Sequence, residues 1–192
     1  MIGTTSDRLA RDERLELLSI ARRAIEAKLR RETLSFDGVA LTPELERRAG
    51  VFVTLREGDD LRGCIGVLEP REPLYRAVAS AAVSAALSDP RFPPVALDEL
   101  PRLSFEISVL GPFEPVASVD EIVVGVHGLI AREGFHAGLL LPQVPGEWGW
   151  GREEYLDHLC LKAGLPMGRW RSGKVVLEKF TAEVFSEESE NQ

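Results

Sequence analysis

The sequence predicts an α+β fold, mainly an antiparallel sheet with flanking helices. Segments with helical periodicity are interspersed with short apolar runs, and neighbouring runs are joined by turn-length connections, which is typical of hairpins. In addition, no linker divides the 192 residues into two independent cores. We therefore expect one domain over residues 1–192, with an ordered core over about 6–185 and a polar tail over 186–192.

The first half of the chain predicts helices around a β-hairpin. Residues 6–30 favour an amphipathic helix, because apolar residues recur at three- and four-residue steps, and 42–49 favour a short helix with a Thr-Pro start. The apolar runs 51–55 and 61–68 flank a five-residue connection, which suits a hairpin. Residues 73–89 are rich in alanine and predict a helix packed closely on a sheet.

The second half predicts further strands and one long helix. The segment 89–95 is an irregular turn, because its three prolines remove backbone donors. Residues 151–166 predict a helix, with Gly164 and Pro166 as its stop signals. Strands are predicted at 103–110 and 138–144. Residues 121–131 are predicted to form one or two strands that break near Gly125 and Gly128, and residues 174–185 one or two strands.

The composition predicts a cytoplasmic protein. The net charge of −8 argues against a protein that coats nucleic acid, although a local basic patch would still allow RNA binding. The N-terminus lacks the apolar region of a signal peptide, and no apolar run is long enough to span a membrane. The two cysteines, Cys64 and Cys160, form no C-x-x-C pair and fit a reducing compartment.

An internal similarity links two of the predicted strands. When residues 61–74 are placed over 103–116, half of the positions match, and Cys64 falls in the same column as Glu106. Because side chains alternate along a strand, both residues are expected on the same face if the strands are neighbours. A carboxylate repels a thiolate, so Glu106 suits substrate binding or proton acceptance better than thiol activation.

Cys64 is the leading candidate for chemistry. In "LRGCIG" it is either a nucleophile, with Gly63 and Gly66 allowing a ligand to approach the backbone, or a small core residue beside a bulge or a close helix crossing. The residue types leave both interpretations open. Cys160, by contrast, shares the apolar stripe of a helix and is predicted to lie in the core.

Further candidates for functional residues are one histidine, two arginines and one tryptophan. His127 is a general base for Cys64 if the fold brings the two together, or else a strand-end histidine bonded to backbone. Arg62, Arg91 and Trp150 are candidates for binding an anionic or aromatic ligand, and Trp150 can equally cover a sheet edge. No zinc-ligand spacing, phosphate-binding loop or dinucleotide fingerprint is present, so the sequence predicts no metal and no cofactor.

The motifs together resemble a known family. "GVFVTL", "LRGCIG", "DPRFPPV", "FEISVL", "HGLI", "GLLLPQV" and "EEYLDHLCLKAGL", followed by Trp170, occur in the order seen in the AMMECR domain family, whose microbial members are called AmmeMemoRadiSam system protein A. The resemblance covers about residues 9–185. It implies one AMMECR-like α+β domain in two lobes around a cleft. Cys64, Glu106 and His127 match the family's motif residues, whereas Gly151 stands where many relatives have an acidic residue.

The resemblance implies no established activity, and two function classes stay open. The first is an enzyme or enzyme subunit with a site centred on Cys64, acting alongside Memo-like and radical S-adenosylmethionine proteins, as the name of the system implies. The second is a non-catalytic adaptor that binds a protein or RNA partner and in which Cys64 is structural. Nucleic-acid binding as the main function ranks lower because of the acidic charge.

Overall fold

The computed structural model of the chain describes residues 8–190. Within this range the chain forms six α-helices and two four-stranded antiparallel sheets, which confirms the predicted α+β class. The helices are α1 (Arg11–Arg30), α2 (Pro43–Glu46), α3 (Leu74–Leu87), α4 (Val144–Trp148), α5 (Arg152–Lys162) and α6 (Glu187–Glu190). The strands are β1 (Val51–Glu57), β2 (Asp60–Val67), β3 (Leu103–Leu110), β4 (Glu114–Pro115), β5 (Gly128–Glu133), β6 (His136–Leu140), β7 (Val176–Phe180) and β8 (Ala182–Ser186).

The described residues divide into two compact units. The first contains residues 8–110 and 183–190, and the second contains residues 111–182. The strand order is β2-β1-β3-β8 in the first sheet and β4-β7-β5-β6 in the second.

The core of the first unit lies between one face of its sheet and the helices α1 and α3. Helix α1 buries a stripe that includes Leu17, Ala21 and Ile25, which recur at four-residue steps. The sheet contributes Val53 and Ile107, which pair across β1 and β3. Because side chains alternate along each strand, this arrangement leaves the opposite face of the sheet to a second set of residues, which includes Cys64.

The second unit has a separate core under helix α5. Tyr155, Leu156 and Leu159 are fully buried on this helix, together with Leu129 and Ala131 of β5. The Tyr155 hydroxyl lies within 3.3 Å of three backbone carbonyl oxygens, those of His127, Leu140 and Leu141. Burial of this hydroxyl raises its pKa well above the usual tyrosine range.

The element boundaries differ from the predictions at several places, and helices α2 and α5 end at Glu46 and Lys162 rather than at residues 49 and 166. Helix α1 begins at Arg11, and residues 6 and 7 of the predicted helix lie outside the described residues. Residues 121–127 do not form a strand, because Gly125 has a left-handed φ of 84° and the chain turns there before β5 begins. The run predicted as a strand over 138–144 is strand only as far as Leu140, and helix α4 starts at Val144.

The segment expected to form a polar tail is part of the first unit as far as it is described. Residues 187–190 form helix α6, and Glu187 accepts hydrogen bonds from Arg22, with a closest distance of 2.8 Å. Glu190 is 8% exposed and accepts a hydrogen bond from Arg14 at 2.8 Å. Charged residues therefore order this end of the described chain through ion pairs rather than through apolar contacts. None of the helices in residues 8–190 combines the length and apolar character needed to cross a membrane.

Candidate functional site

Three side chains form a row across the sheet of the first unit. Thr54 of the central strand β1 pairs with Cys64 of β2 on one side and with Glu106 of β3 on the other. We call Cys64, Thr54 and Glu106 the cysteine row. Because paired residues project from the same face, the internal similarity in the sequence predicted correctly that Cys64 and Glu106 share a face. With adjacent strands about 4.8 Å apart, their Cα atoms are about 10 Å from each other.

The thiol of Cys64 is held within this row. Thr54 is 8% exposed, and its hydroxyl lies 3.3 Å from the Cys64 sulfur as a hydrogen-bond donor. Cys64 itself is partly exposed. A hydroxyl that can donate to sulfur stabilises the thiolate, which is the nucleophilic form of cysteine.

The backbone of Cys64 is held by contacts with two side chains of the segment that follows α3. Strand β2 lies at the edge of its sheet, and the N–H of Cys64 donates to Asp89 Oδ2 at 2.9 Å. The carbonyl oxygen of Cys64 accepts a longer contact of 3.5 Å from Arg91. Asp89 and Arg91 therefore occupy the edge of β2 at Cys64, where another strand would otherwise pair.

Asp89 carries a buried carboxylate, and Arg91 is its counter-ion. The Asp89 side chain is 2% exposed, and Arg91 donates to both carboxylate oxygens, at 3.0 and 2.7 Å. The Arg91 guanidinium holds the pKa of the Asp89 carboxyl well below its usual range, although burial alone would raise that pKa. The backbone N–H groups of Cys64 and Arg91 lower it further. The pKa of Arg91 is raised, first by its hydrogen bond to Asp89 and also by the negative charge of Asp89.

The two glycines beside Cys64 make room for neighbouring groups of the same unit. A Cβ atom at Gly63 would lie 2.2 Å from the carbonyl oxygen of Ala85, so this glycine lets helix α3 cross β2 closely. A Cβ atom at Gly66 would lie 2.4 Å from the ring of Phe52 on β1. Both positions thus have a packing reason for glycine. Their use in ligand binding stays a prediction.

Arg62 is engaged in contacts with the segment before β3. Its guanidinium donates to Glu99 Oε2 at 3.0 Å and to the carbonyl oxygen of Pro93 at 2.9 Å, and its side chain is 13% exposed. The N–H of Ala96 and then Arg62 hold the pKa of Glu99 below its usual value. Ligand binding by Arg62 would have to replace these contacts, whereas Arg91 has a side chain that is 54% exposed.

His127 belongs to the second unit, where it closes the turn before β5. The backbone N–H of Val123 donates to His127 Nδ1 at 3.1 Å, and the N–H of His127 donates to the carbonyl oxygen of Val123. When Nδ1 accepts a hydrogen bond, a neutral imidazole carries its proton on Nε2 and presents a donor there. A role as a proton acceptor would require His127 to give up this bond.

Trp150 lies in a stack of three aromatic rings in the second unit. Its ring is 3.8 Å from that of His158 with an interplanar angle of 4°, and 6.0 Å from that of Trp148 at 16°. His158 of helix α5 thus packs against an aromatic ring from the loop that precedes this helix. Trp148, at the end of the stack, is 70% exposed.

The second cysteine provides a contrast to Cys64. Cys160 is fully buried in the core under α5, as the sequence predicted. Burial raises the pKa of its thiol above the usual value. Within residues 8–190, no group of three or more His, Cys, Asp or Glu residues is placed to hold a metal ion.

Two residues of the site were missed by the sequence reasoning. Thr54 was treated only as part of a strand, although it is the polar residue of "VFVTL". Asp89 was placed in an irregular turn, and the signal that could have identified it is an acidic residue two positions before Arg91 in "DPRF". Both were missed because their importance depends on contacts with β2, which is distant in sequence from Asp89.

Comparison with known proteins gives the family. The AMMECR1 family profile matches residues 18–185. A protein of Thermococcus gammatolerans is 47% identical over 182 residues, which cover 90% of this chain and 89% of that protein. A protein of Methanothermobacter thermautotrophicus is 46% identical over 186 residues, covering 94% and 97%. The crystal structure of uncharacterized protein PH0010 from Pyrococcus horikoshii has a TM-score of 0.84 at 45% identity and covers 91% of each chain. The chain belongs to the AMMECR1 family.

Proposed function

We propose that the chain is an enzyme, or the catalytic subunit of a small complex, with its site at the cysteine row. The observation that carries the proposal is the register of the first sheet, which puts Cys64 and Glu106 on one face with Thr54 between them. The place of action is the cytoplasm, and the associated proteins are of the Memo-like and radical S-adenosylmethionine types.

Each member of the row has a role in this proposal. Cys64 is the nucleophile, and the Thr54 hydroxyl, 3.3 Å from the sulfur, stabilises the thiolate. Asp89 positions the backbone of Cys64 through a hydrogen bond of 2.9 Å. Glu106 is two strands away, so it acts on the substrate rather than on the thiol, and it accepts a proton or binds a polar group there.

Acyl transfer or hydrolysis without a metal is the reaction class that fits these groups. The Cys64 thiolate attacks the carbonyl carbon of an acyl donor, a thioester forms, and the leaving group departs with a proton. Water then attacks the thioester, which releases a carboxylic acid and restores the thiol. Glu106 accepts a proton from the attacking water in the second step, whereas solvent supplies the proton that the leaving group takes in the first step.

Acylation by p-nitrophenyl acetate tests this function. The purified full chain is expected to acquire an acetyl group on Cys64 and none on Cys160, as located by peptide mass spectrometry. Glu106→Gln is expected to slow nitrophenol release, and Glu72→Gln, an exposed acidic residue of the same unit, is the matched control. Acetylation of lysines alone, or equal nitrophenol release by Cys64→Ser, contradicts the proposal.

The alternative is a non-catalytic adaptor, favoured by the structural contacts that Arg62 and the two glycines make. The two functions differ in what Cys64→Ser does. In an adaptor, capture of a Memo-like or radical S-adenosylmethionine protein survives this substitution and no acyl adduct forms on the wild-type chain. In the enzyme, the adduct forms and is lost with the thiol.

A further inference from the structure

The most exposed tryptophan of the second unit lies on a fixed support. Trp148 is 70% exposed and stacks on Trp150, which stacks in turn on His158 of helix α5. The N–H of Trp150 donates to the carbonyl oxygen of Pro145 at 2.9 Å. An aromatic side chain that is already ordered loses little conformational freedom when a partner binds to it.

Glu147 is the acidic residue next to this stack that keeps its charge available. Between positions 144 and 158 there are four acidic residues, at 147, 153, 154 and 157, and one basic residue, Arg152. Glu153 and Asp157 are paired with Arg171, and Glu154 accepts the backbone N–H of Gly151. Arg152 is already paired with Asp120 at 2.9 Å. Glu147, directly before Trp148, is exposed, and no ion pair to it is found among residues 8–190.

We propose that Trp148 and Glu147 form a docking surface for a partner-protein segment that carries lysine or arginine side chains. The electron-rich face of a tryptophan attracts an ammonium or guanidinium group, and a neighbouring carboxylate adds charge complementarity. The overall charge of −8 favours a cationic partner and disfavours an anionic one such as RNA. This surface is independent of the cysteine row, so it applies whether or not the chain is an enzyme.

Peptide binding tests the proposal with the full chain. A fluorescent Lys-Gly-Ser repeat peptide is the probe, its lysine-acetylated form is the uncharged comparison, and binding is followed by fluorescence anisotropy. Trp148→Ala is expected to weaken binding at least about threefold, the size of a cation–π contact at an exposed site. Leu161→Ala, which removes an apolar side chain that is 49% exposed on α5, is expected to leave binding unchanged.

A second pair of variants separates local from general electrostatic attraction. Glu147→Gln is expected to weaken binding, whereas Glu32→Gln removes the same charge from an exposed position of the first unit and is expected to have no effect. Equal losses in these two variants would mean general attraction to an acidic protein and would overturn the proposal.

Four further outcomes would also overturn the proposal. These are failure of the lysine peptide to bind, equal binding of the acetylated peptide, unchanged binding by Trp148→Ala, and preferential binding of an RNA oligomer. Concentration-dependent dimerisation that Trp148→Ala abolishes would assign the surface to a second copy of the chain and overturn it as well.

Discussion

Asp89 Oδ2 accepts the backbone N–H of Cys64 at 2.9 Å, across the edge of the first sheet. This bond connects two segments that the sequence shows only as separate motifs, "LRGCIG" and "DPRFPP". Asp89 thereby accepts a backbone N–H of the edge strand β2 that another strand could otherwise use. Together with the contact from Arg91 to the carbonyl oxygen of Cys64, it covers the edge of β2 at this residue. The position of the thiol is therefore set by a carboxylate that follows helix α3.

Replacement of Asp89 by asparagine is expected to destabilise the protein. The amide keeps the shape but loses the negative charge that accepts from Arg91 and from two backbone N–H groups. Since hydrogen bonds to charged groups contribute more than neutral ones, we expect a loss of about 1–3 kcal/mol in the free energy of unfolding, measured by urea denaturation. Asp59→Asn, in the exposed hairpin turn, is the control and is expected to change it little. Equal stability of the two variants would contradict the role given to Asp89.

The same carboxylate predicts a pH dependence at acid pH. The pKa of Asp89 is lower in the folded chain than its ordinary value of 3.8, so the folded state favours the ionised form. Its stabilisation is fully present above the ordinary value and is lost as the pH falls below it towards the folded pKa. The difference in unfolding free energy between wild type and Asp89→Asn should accordingly shrink between about pH 4 and pH 2. A difference that stays constant over that range would exclude ionised Asp89 as its source.

Substitution of Gly63 by alanine is expected to disturb the contact between β2 and α3. The added methyl group would lie 2.2 Å from the Ala85 carbonyl oxygen, so strand or helix must shift. We expect a loss of about 1–3 kcal/mol, measured by thermal or urea unfolding. Gly146→Ala is the matched control, because nothing lies within 4 Å of its added Cβ and its φ is not left-handed. If Gly63→Ala were as stable as Gly146→Ala, glycine at this position would require another explanation.

The Thr54 hydroxyl is expected to affect the reactivity of Cys64. Thr54→Val keeps the branched shape of the side chain but removes the donor 3.3 Å from the sulfur. Without that donor the thiolate is less favoured, so alkylation of Cys64 at neutral pH should slow by a few-fold, about two- to tenfold for one hydrogen bond. Ser108→Ala, on the same face of β3 but outside the cysteine row, is the comparison. An unchanged alkylation rate in Thr54→Val would mean that the hydroxyl does not affect the reactivity of the Cys64 thiol.

The sequence predicted those features that depend on local pattern. The β1–β2 hairpin and the helix α3 follow from alternation and alanine content, and the shared face of Cys64 and Glu106 follows from the internal similarity. The strand order does not follow from local pattern, so Thr54 between the two residues was not predicted. The valines at 123, 124 and 126 favoured a strand, but the left-handed φ of Gly125 turns the chain there. The contact from Asp89 to Cys64 spans 25 positions and depends on how β2 packs beside α3.

Alkylation of the native full chain tests the central claim most directly, because each cysteine is a control for the other. Cys64 is partly exposed and Cys160 is fully buried. With iodoacetamide at neutral pH and peptide mass spectrometry, we expect modification of Cys64 in the folded protein and of Cys160 only after denaturation. If Cys64 resists modification until the chain is unfolded, it is a structural residue, and a catalytic site centred on it is contradicted.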